Sequence, residues 1–426
     1  MRARFYYGYV VIAVAFVTMG IGVNSRTAFS LLYPAILDEF GWERGATAGI
    51  FACGFLASVL VAPVVGALFE RLGPRIVVPM GAGLVATGLL LATLATSLPG
   101  LYLSLGVFAV GGSVFLSYIG HSAFLPYWFL RRRGLMLGIA FAGVGVGGIA
   151  IFPLLQSYIT SVGWRDGCVA LAALLIVVVV PLNALAQRRR PEDMGLRPDG
   201  GEASGASGPA PGEVVADPVW AGRDWRYAEL LGNFRVWALL LGYSASMFVS
   251  YAVLVHQTRF YIDVGFSAEQ AAWSLGLLVF SGIFGQVVIG SLSDRIGREL
   301  GWALAMAGYG TCFAIYLVIP TFPFVWLMYA ATAAVGLLGA GTAPLFSAIT
   351  LELFKGRGFG RAYGAVTVAT TLGAAAGAWG TGAMYDAFGS YTVAYALAIA
   401  LSAVSIVGIW VAGPGRVRPV VGSSGR

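Results

Sequence analysis

Charge is scarce in this sequence: of 426 residues only 11% are Asp, Glu, Lys or Arg, against 58% hydrophobic. A soluble domain carries about 25% charged residues, because its surface faces water. The shortage excludes a soluble body of this size and leaves lipid to cover much of the surface. Cysteine and histidine are scarcer still. The three Cys, Cys53, Cys168 and Cys312, fall in apolar runs, which excludes a disulfide framework. The two His, His121 and His256, are far apart. No Cys/His cluster has metal spacing, so neither a metal nor another cofactor is expected. There is no P-loop, no nucleotide fingerprint and no Ser/His/Asp set in loops. Enzymatic catalysis and ATP-driven pumping are therefore not expected.

Long apolar runs fill the chain instead. A membrane helix needs about 20 mostly apolar residues, and twelve such runs occur. In the first half they lie near 7–36, 46–69, 75–97, 101–128, 135–161 and 166–187. In the second half they lie near 234–262, 269–293, 299–320, 324–352, 360–386 and 390–412. The first run exceeds a signal-peptide core of about 7–15 residues and is read as a retained span. Glycines crowd several runs, as at Gly143, Gly145, Gly147 and Gly148, where small residues let helices approach closely.

The expected protein is all-α and integral to the membrane, with an N-terminal six-helix bundle over 1–187 and a C-terminal one over 234–412. A cytoplasmic linker occupies 188–233 and a cytoplasmic tail 413–426. The linker opens with Arg188-Arg189-Arg190-Pro191 and passes through Gly200-Gly201-Glu202-Ala203-Ser204-Gly205, a mixture that cannot bury a core. From Trp225 to Arg235 a short interfacial helix is expected to lead into span 7. Net charge is +7, but the basic residues sit in short runs between apolar segments rather than along a groove, so no nucleic-acid partner is expected. With the N-terminus inside, all but Arg26, Arg44, Arg165 and Arg259 of the 26 Lys and Arg lie on the cytoplasmic side, as the positive-inside rule requires.

The halves repeat. Gly66-Ala-Leu-Phe-Glu70-Arg71-Leu-Gly73-Pro-Arg75 recurs as Gly290-Ser-Leu-Ser-Asp294-Arg295-Ile-Gly297-Arg298-Glu299, at an offset of 224 residues. Trp128-Phe129-Leu130-Arg131 matches Leu353-Phe354-Lys355-Gly356 near an offset of 225. Both copies of the first pattern resemble the Gly-x-Leu-x-Asp-Arg-x-Gly-x-Arg/Lys hallmark of the major facilitator superfamily. That resemblance implies twelve transmembrane helices in two bundles related by an axis along the membrane normal. In this setting Gly66, Glu70, Arg71 and Arg75, with Gly290, Asp294, Arg295 and Arg298, form a candidate conformational latch. The glycines are expected to allow close helix contact, and each carboxylate to cap a neighbouring helix or pair with an Arg.

A narrower resemblance rests on Trp128-Phe129-x-Arg131-Arg132-Arg133-x-Leu135-x-x-Gly138-x-Ala140-x-Ala142-Gly143, which looks like the fifth-span motif of the monocarboxylate porter family. Tyr7-Gly8-Tyr9-Val10-Val11 is similar to that family's entry to span 1. The run Arg190-Pro191-Glu192-Asp193-Met194-Gly195-Leu196 resembles the central loop of bacterial members and of the oxalate–formate exchangers. In that family a basic residue stands in span 1 before a bulky pair like Leu31-Leu32, which gives Arg26 the place of an anion-binding group. Span 8 departs from the family: where many members carry an Asp and, four residues on, an Arg, this chain has Gly282 and Gln286.

Ionisable residues at membrane depth are costly and are therefore candidates for function. Span 1 centres near Gly22, so Arg26 lies about 6 Å from the middle. It either binds a substrate carboxylate or is a structural Arg bonded to carbonyls or reaching outward. His121 and His256 are either satisfied core residues or donors that change charge near neutral pH. Tyr33, Tyr118 and Gln286 complete the candidate substrate set, and Asn24, Gln156, Gln257 and Tyr309 are further polar groups in the spans. The expected function is alternating-access transport of a small organic anion, as a monomer in a bacterial inner membrane, with protons as a candidate co-substrate. A carrier of a neutral or amphipathic molecule is the alternative. A sensor or scaffold would need a soluble signalling domain, for which linker and tail are too small.

Overall fold

The structure, a computed structural model, describes residues 6–122, 124–129, 133–198, 217–221, 223, 225–354 and 359–417. Arg131, Arg132, Lys355, Arg357, the Gly200–Gly205 run and the tail from 418 lie outside the described residues. Among those described, every regular element is helical. Twelve long segments follow the apolar runs: α1 Gly8–Phe40, α2 Arg44–Leu72, α3 Pro74–Leu94, α4 Leu98–Tyr127, α5 Gly134–Val162, α6 Trp164–Ala186, α7 Phe234–Asp263, α8 Ala268–Ile296, α9 Arg298–Val318, α10 Val325–Phe354, α11 Phe359–Phe388 and α12 Thr392–Ala412. Eleven are both long enough and apolar enough to cross a membrane. The other, α11, is as long at 30 residues, but its Gly, Ala and Thr content lowers its hydropathy.

Contacts divide the chain into two units. The first holds Met1–Ser204 with Ala268–Phe280, and the second Gly205–Ser267 with Ser281–Arg426. Both use the same packing device. In the first unit, a Cβ placed on Gly143 or Gly147 of α5 would lie within 2.1 or 2.5 Å of a backbone oxygen of α1, those of Phe16 and Gly20. In the second, a Cβ on Gly373 or Gly377 of α11 would lie within 2.1 or 2.2 Å of the Ser244 and Phe248 oxygens of α7. Each pair is a small-xxx-small seam that brings two backbones into contact, where van der Waals packing replaces the hydrophobic drive that lipid cannot supply.

The repeated acidic–Arg turn has the same backbone in both units. Gly73 and Gly297 take φ of +71° and +96°, the left-handed region that glycine enters without a Cβ penalty. They end α2 and α8 and start α3 and α9.

α4 and α10 are broken at matching places. In α4 a π-helical stretch over Tyr102–Gly111 gives way to a tight turn at Ser113–Leu116 and an extended Ser117, before a short helix at Tyr118–Ser122. In α10 a tight turn at Gly339–Gly341 separates Val325–Leu337 from Thr342–Phe354. Side chains take up the carbonyls that the breaks release. Ser58 Oγ donates to Gly111 O (3.3 Å) and Ser113 Oγ to Val110 O (2.6 Å) in α4, and Thr342 Oγ1 to Gly339 O (2.9 Å) in α10. Lipid offers the backbone no such partner, which is why interrupted spans need these hydroxyls.

The two segments that resemble the monocarboxylate porter family meet in space. Tyr6 and Tyr9 pack on Phe129 with ring centroids 5.5 and 5.7 Å apart, and Tyr6 Oη donates to Trp128 O at 2.7 Å. The second unit repeats this at an offset of 225. Trp225 packs on Phe354 at 5.4 Å, and Trp220 Nε1 donates to Leu353 O at 2.8 Å. Trp220 and Trp225 are buried, with the Arg235 guanidinium 4.2 Å from the Trp220 ring. The stretch before α7 was expected to be free linker followed by a helix from Trp225 to Arg235. Instead, residues around Trp220 and Trp225 are held against the second unit, and the helix is shorter, Tyr227–Leu231. The two indoles bury enough apolar surface to hold the chain in place.

Candidate functional site

Among the basic residues away from the Arg-rich ends, Arg165 and Arg259 stand beside carboxylates. Arg165 meets Glu39 at 2.6 Å. Arg259 Nε lies 2.9 Å from Asp263 Oδ1, although its N–H is not aimed at that oxygen. Arg44 starts α2, and its carbonyl accepts from Tyr33 Oη at 3.0 Å. Arg26 differs. Its Nε is buried with no hydrogen-bond partner among the described residues, and its guanidinium carbon stands 5.4 Å from the centre of the Phe55 ring on α2. Cation–π attraction of this kind is worth about 0.5–2 kcal/mol and leaves the N–H groups free.

Local sequence explains why Arg26 is placed there. Gly22, one turn earlier on the same face of α1, lets the helix approach Leu116, whose Cβ would be 2.7 Å from a Cβ at Gly22. Leu116 belongs to the break in α4. Asn24 fixes the rotation of α1 by donating from Nδ2 to Gly20 O and Val144 O, both at 2.7 Å, while its Oδ1 is buried without a partner among the described residues. The first unit thus brings together a cation without a counter-ion among the described residues, an aromatic face and an interrupted helix.

The other candidates fall elsewhere. Tyr33 is fully buried and its hydroxyl serves the Arg44 carbonyl, a structural role. Tyr118 packs edge-on against Phe141 at 4.9 Å, beside Met19, Val23 and Val144. His121 is fully buried; its Nδ1 is 3.1 Å from Ser117 O, so that nitrogen carries the proton, and Nε2 has no partner among the described residues. Its ring lies beside Phe124, which stacks on Phe69. Phe69 is fourteen residues along α2 from Phe55, roughly 21 Å, so His121 is set toward the acidic–Arg turn and away from Arg26. His256 is used on both sides: Nε2 donates to Ala378 O at 2.7 Å and Nδ1 faces Tyr391 Oη at 3.4 Å. It ties α7 to α11 and to the start of α12. Gln286 is half-buried, and the structure shows no hydrogen bond to its amide among the described residues. A Cβ at Gly282 would sit 3.3 Å from Ala340 Cβ, so a side chain there would have to displace α10.

The latch residues differ between units. Glu70 and Arg71 are exposed and make no ion pair among the described residues, and Arg75 Nε donates to Ala184 O of α6 at 2.6 Å. In the second unit Arg298 holds Asp294 at 2.6 Å and Glu352 at 2.8 Å, and donates to Ser293 Oγ at 2.6 Å. Arg295 is exposed. Close contact is not what the two glycines provide here. A Cβ at Gly66 would meet nothing within 4 Å, and one at Gly290 only the Pro344 ring at 3.6 Å.

Glu352, on α10, was not among the sequence-derived latch residues; its signal was an acidic residue at the inner end of a span. It is the better shielded partner of Arg298, with 19% of its side chain exposed against 61% for Asp294. Glu352→Gln is therefore expected to cost about 1.5–3 kcal/mol, the range for a hydrogen bond to a charged group. Asp294→Asn should cost under about 1 kcal/mol. Apparent melting temperatures of the purified variants give the order, and an Asp294 variant as damaged as the Glu352 one would move the centre of the network to Asp294. The breaks in α4 and α10 were also missed, though Gly111-Gly112 and Gly339-Ala340-Gly341 stand at corresponding places in the two halves.

Comparison with known proteins extends these findings. The sequence profile described as Major Facilitator Superfamily matches residues 10–328 and 263–425. The chain is 29% identical to monocarboxylate transporter 13 of Bos taurus over 92% of this chain and 86% of that protein. It is 26% identical to monocarboxylate transporter 12 of Mus musculus over 92% and 82%, and 28% identical to monocarboxylate transporter 11 of Homo sapiens over 92% and 80%. Among solved structures, a mutant of the nucleoside transporter NupG superposes with a TM-score of 0.72 at 11% identity, covering 96% of this chain and 100% of that one. A bacterial homolog of the human lysosomal transporter Spinster, inward-facing and unoccupied, superposes with a TM-score of 0.66 at 18% identity, covering 99% and 96%. At these identities the structural likeness concerns the fold.

Proposed function

Because the chain belongs to the Major Facilitator Superfamily, we propose that it carries a small organic anion of the monocarboxylate kind by alternating access. The observation that carries this reading is Arg26: a guanidinium in span 1 whose buried Nε has no hydrogen-bond partner among the described residues and which faces the Phe55 ring. An Arg near the middle of a span costs about 2.5–3.5 kcal/mol on insertion scales. A substrate carboxylate offsets that cost through a bidentate, charge-assisted pair, for which guanidinium geometry is suited. Interrupted spans at corresponding places in two halves are a further pointer to a transport site, and the break in α4 adjoins α1 one turn from Arg26. The likeness to monocarboxylate transporters over 92% of this chain agrees with a carboxylate cargo.

Gly282 and Gln286 leave span 8 without the ionisable pair of the family pattern, so the substrate itself balances Arg26 and the carrier works as an exchanger or facilitator. Proteoliposomes test this. Labelled lactate or pyruvate should exchange for unlabelled substrate, with little accumulation when a proton gradient is imposed. One pH unit supplies about 1.4 kcal/mol per proton, or tenfold accumulation; uptake of that size would overturn the exchange reading. The same two residues favour a second reading, a carrier of a neutral or amphipathic molecule, which gains if no small carboxylate exchanges and a neutral compound does.

We also place the protein in a bacterial inner membrane with termini and linker cytoplasmic, since all but four of the 26 Lys and Arg then lie inside. A Gly201→Cys variant should react with an impermeant thiol reagent only after the membrane is opened. Reaction in intact cells would reverse the orientation.

A further inference from the structure

At the Arg-rich end of the second unit, a groove of about 520 Å³ lies between α7 and α12, lined by Phe234, Arg235, Val407, Trp410, Val411 and Arg416 among others. Its wall is the outer surface of the unit. Phe234 is 71% exposed, Val407 60% and Trp410 48%, the pattern of side chains that face acyl chains and, for the tryptophan, the headgroup level. The seam beneath is tight: a Cβ at Gly408 would lie 2.5 Å from Ala238 O and 2.9 Å from Gly242 Cα, so the groove is shallow and closed at its floor by backbone.

Two cations converge at its mouth. A Cβ at Gly413 would lie 3.3 Å from Arg235 Nη2 and 3.0 Å from Arg416 Cδ, so the two side chains flank the same glycine. Gly413 holds φ at +62°, which turns the chain after α12 and brings Arg416 back toward Arg235. Arg235 is anchored: Nε and Nη2 donate to Ala412 O at 3.1 and 2.8 Å, and its guanidinium covers the Trp220 ring. Arg416 is exposed and makes no ion pair among the described residues. Two carboxylates at this end are already engaged. Glu299 Oε1 accepts from Gly415 N at 2.8 Å, and Asp217 Oδ1 from Trp220 N at 2.9 Å. Both carboxylates keep their charge, and Asp217 partly offsets that of Arg235, but Arg235 and Arg416 still repel each other, and an anion placed across their outer edges removes that repulsion.

We propose that this groove holds one anionic phospholipid. Its phosphate bridges Arg416 and the outer edge of Arg235, and one acyl chain lies along Val407, Val411 and Phe234 beneath the Trp410 ring. The apolar wall selects a lipid over free phosphate, because a bare ion would leave the wall uncovered. The paired arginines select an anionic lipid over a zwitterionic one, whose choline would bring a further cation beside them. Basic pockets at the ends of membrane helices bind lipid headgroups on these grounds.

The test uses the full-length protein in detergent micelles, titrated with palmitoyl-oleoyl phosphatidylglycerol, with phosphatidylcholine of the same chains, and with inorganic phosphate. Native mass spectrometry counts retained lipid, and thermal unfolding follows stability. Phosphatidylglycerol should be retained and should raise the melting temperature, while phosphatidylcholine and inorganic phosphate should do neither. Arg416→Gln should weaken phosphatidylglycerol retention about fivefold, the equivalent of the roughly 1 kcal/mol that one basic residue contributes near an anionic surface. Arg71→Gln removes an equally exposed charge outside the groove and should leave retention unchanged. Equal retention of the two lipids overturns the proposal, as does Arg416→Gln binding like the parent protein. If Arg71→Gln weakens binding as much as Arg416→Gln, the attraction is general surface charge and the groove is not a site. If inorganic phosphate alone gives the full stabilisation, the arginines form an anion site without a lipid.

Discussion

Arg26→Gln sharply reduces carboxylate-dependent stabilisation and leaves the ligand-free protein at least as stable as its parent. The two halves of this expected result come from the same observation. With no carboxylate or carbonyl among the described residues on its buried Nε, Arg26 contributes desolvation cost and a cation–π contact to the empty protein, and glutamine removes the larger of these. With ligand present, the variant loses a charge-assisted pair worth about 1.5–3 kcal/mol, so affinity falls roughly ten- to a hundredfold. At ligand a hundred times the parent dissociation constant, stabilisation of about 2.7 kcal/mol shrinks toward about 0.4 kcal/mol for the hundredfold case. Arg26→Lys keeps the charge but not the planar fork and should retain part of the effect. Thermal unfolding with and without lactate separates the outcomes. A glutamine variant that is destabilised when empty yet binds as before would make Arg26 structural, and the substrate site would lie elsewhere.

The second large effect concerns one methyl group. Gly377→Ala places a Cβ 2.2 Å from Phe248 O and 2.7 Å from its Cα, and Gly147→Ala places one 2.5 Å from Gly20 O. Both obstacles are backbone, so neither can rotate aside; the helices must separate, and with them the rest of each seam. A cost of about 3 kcal/mol or more is expected, at or beyond the upper end of ordinary overpacking. Gly66→Ala is the control, since its Cβ meets nothing within 4 Å. There, alanine should be neutral or stabilising by up to about 1 kcal/mol, from helix propensity alone. Yield of monodisperse protein and apparent melting temperature report all three. Parent-like Gly147→Ala and Gly377→Ala proteins would mean that the seams are looser than their geometry.

The helical plan of this protein is legible in its sequence because the membrane reads composition. Runs of about 20 apolar residues have one stable form in lipid, and the acidic–Arg turn recurs at one offset in both halves. What could not be read was direction. Tyr33 and Arg26 both stand in span 1 as polar groups, yet one hydroxyl is absorbed by the Arg44 carbonyl while the guanidinium is left over. That difference depends on helix rotation, set by Asn24 and the Gly20–Gly147 approach. His256 likewise looked equivalent to His121 until Ala378 O and Tyr391 Oη claimed both its nitrogens. The glycines of α5 announced close packing in general terms. Which of them touch backbone follows from register, as the open space at Gly66 illustrates. The role of Glu352 needed α10 to return beside the α8–α9 turn, a long-range pairing with no local trace. The interrupted middles of α4 and α10 were spelled out in glycine, but glycine in membrane helices serves so many purposes that only the comparison of the halves singles them out.

The clamp of Trp220 and Trp225 against Phe354 also settles where the polypeptide can be divided. The matching clamp of the first unit, Tyr6 and Tyr9 on Phe129, stands at the entry to α1, whereas that of the second lies before α7, so the second repeat begins not at Phe234 but near Asp217. A fragment that started at α7 would carry all six helices yet expose the Leu353 carbonyl and the Phe354 ring, and Arg235 would lose the indole beneath it. Split-protein reporters, inserted fluorescent domains and circular permutants therefore belong upstream of Asp217, in the Gly- and Ser-rich stretch, where a cut separates the two repeats with each keeping its own aromatic brace.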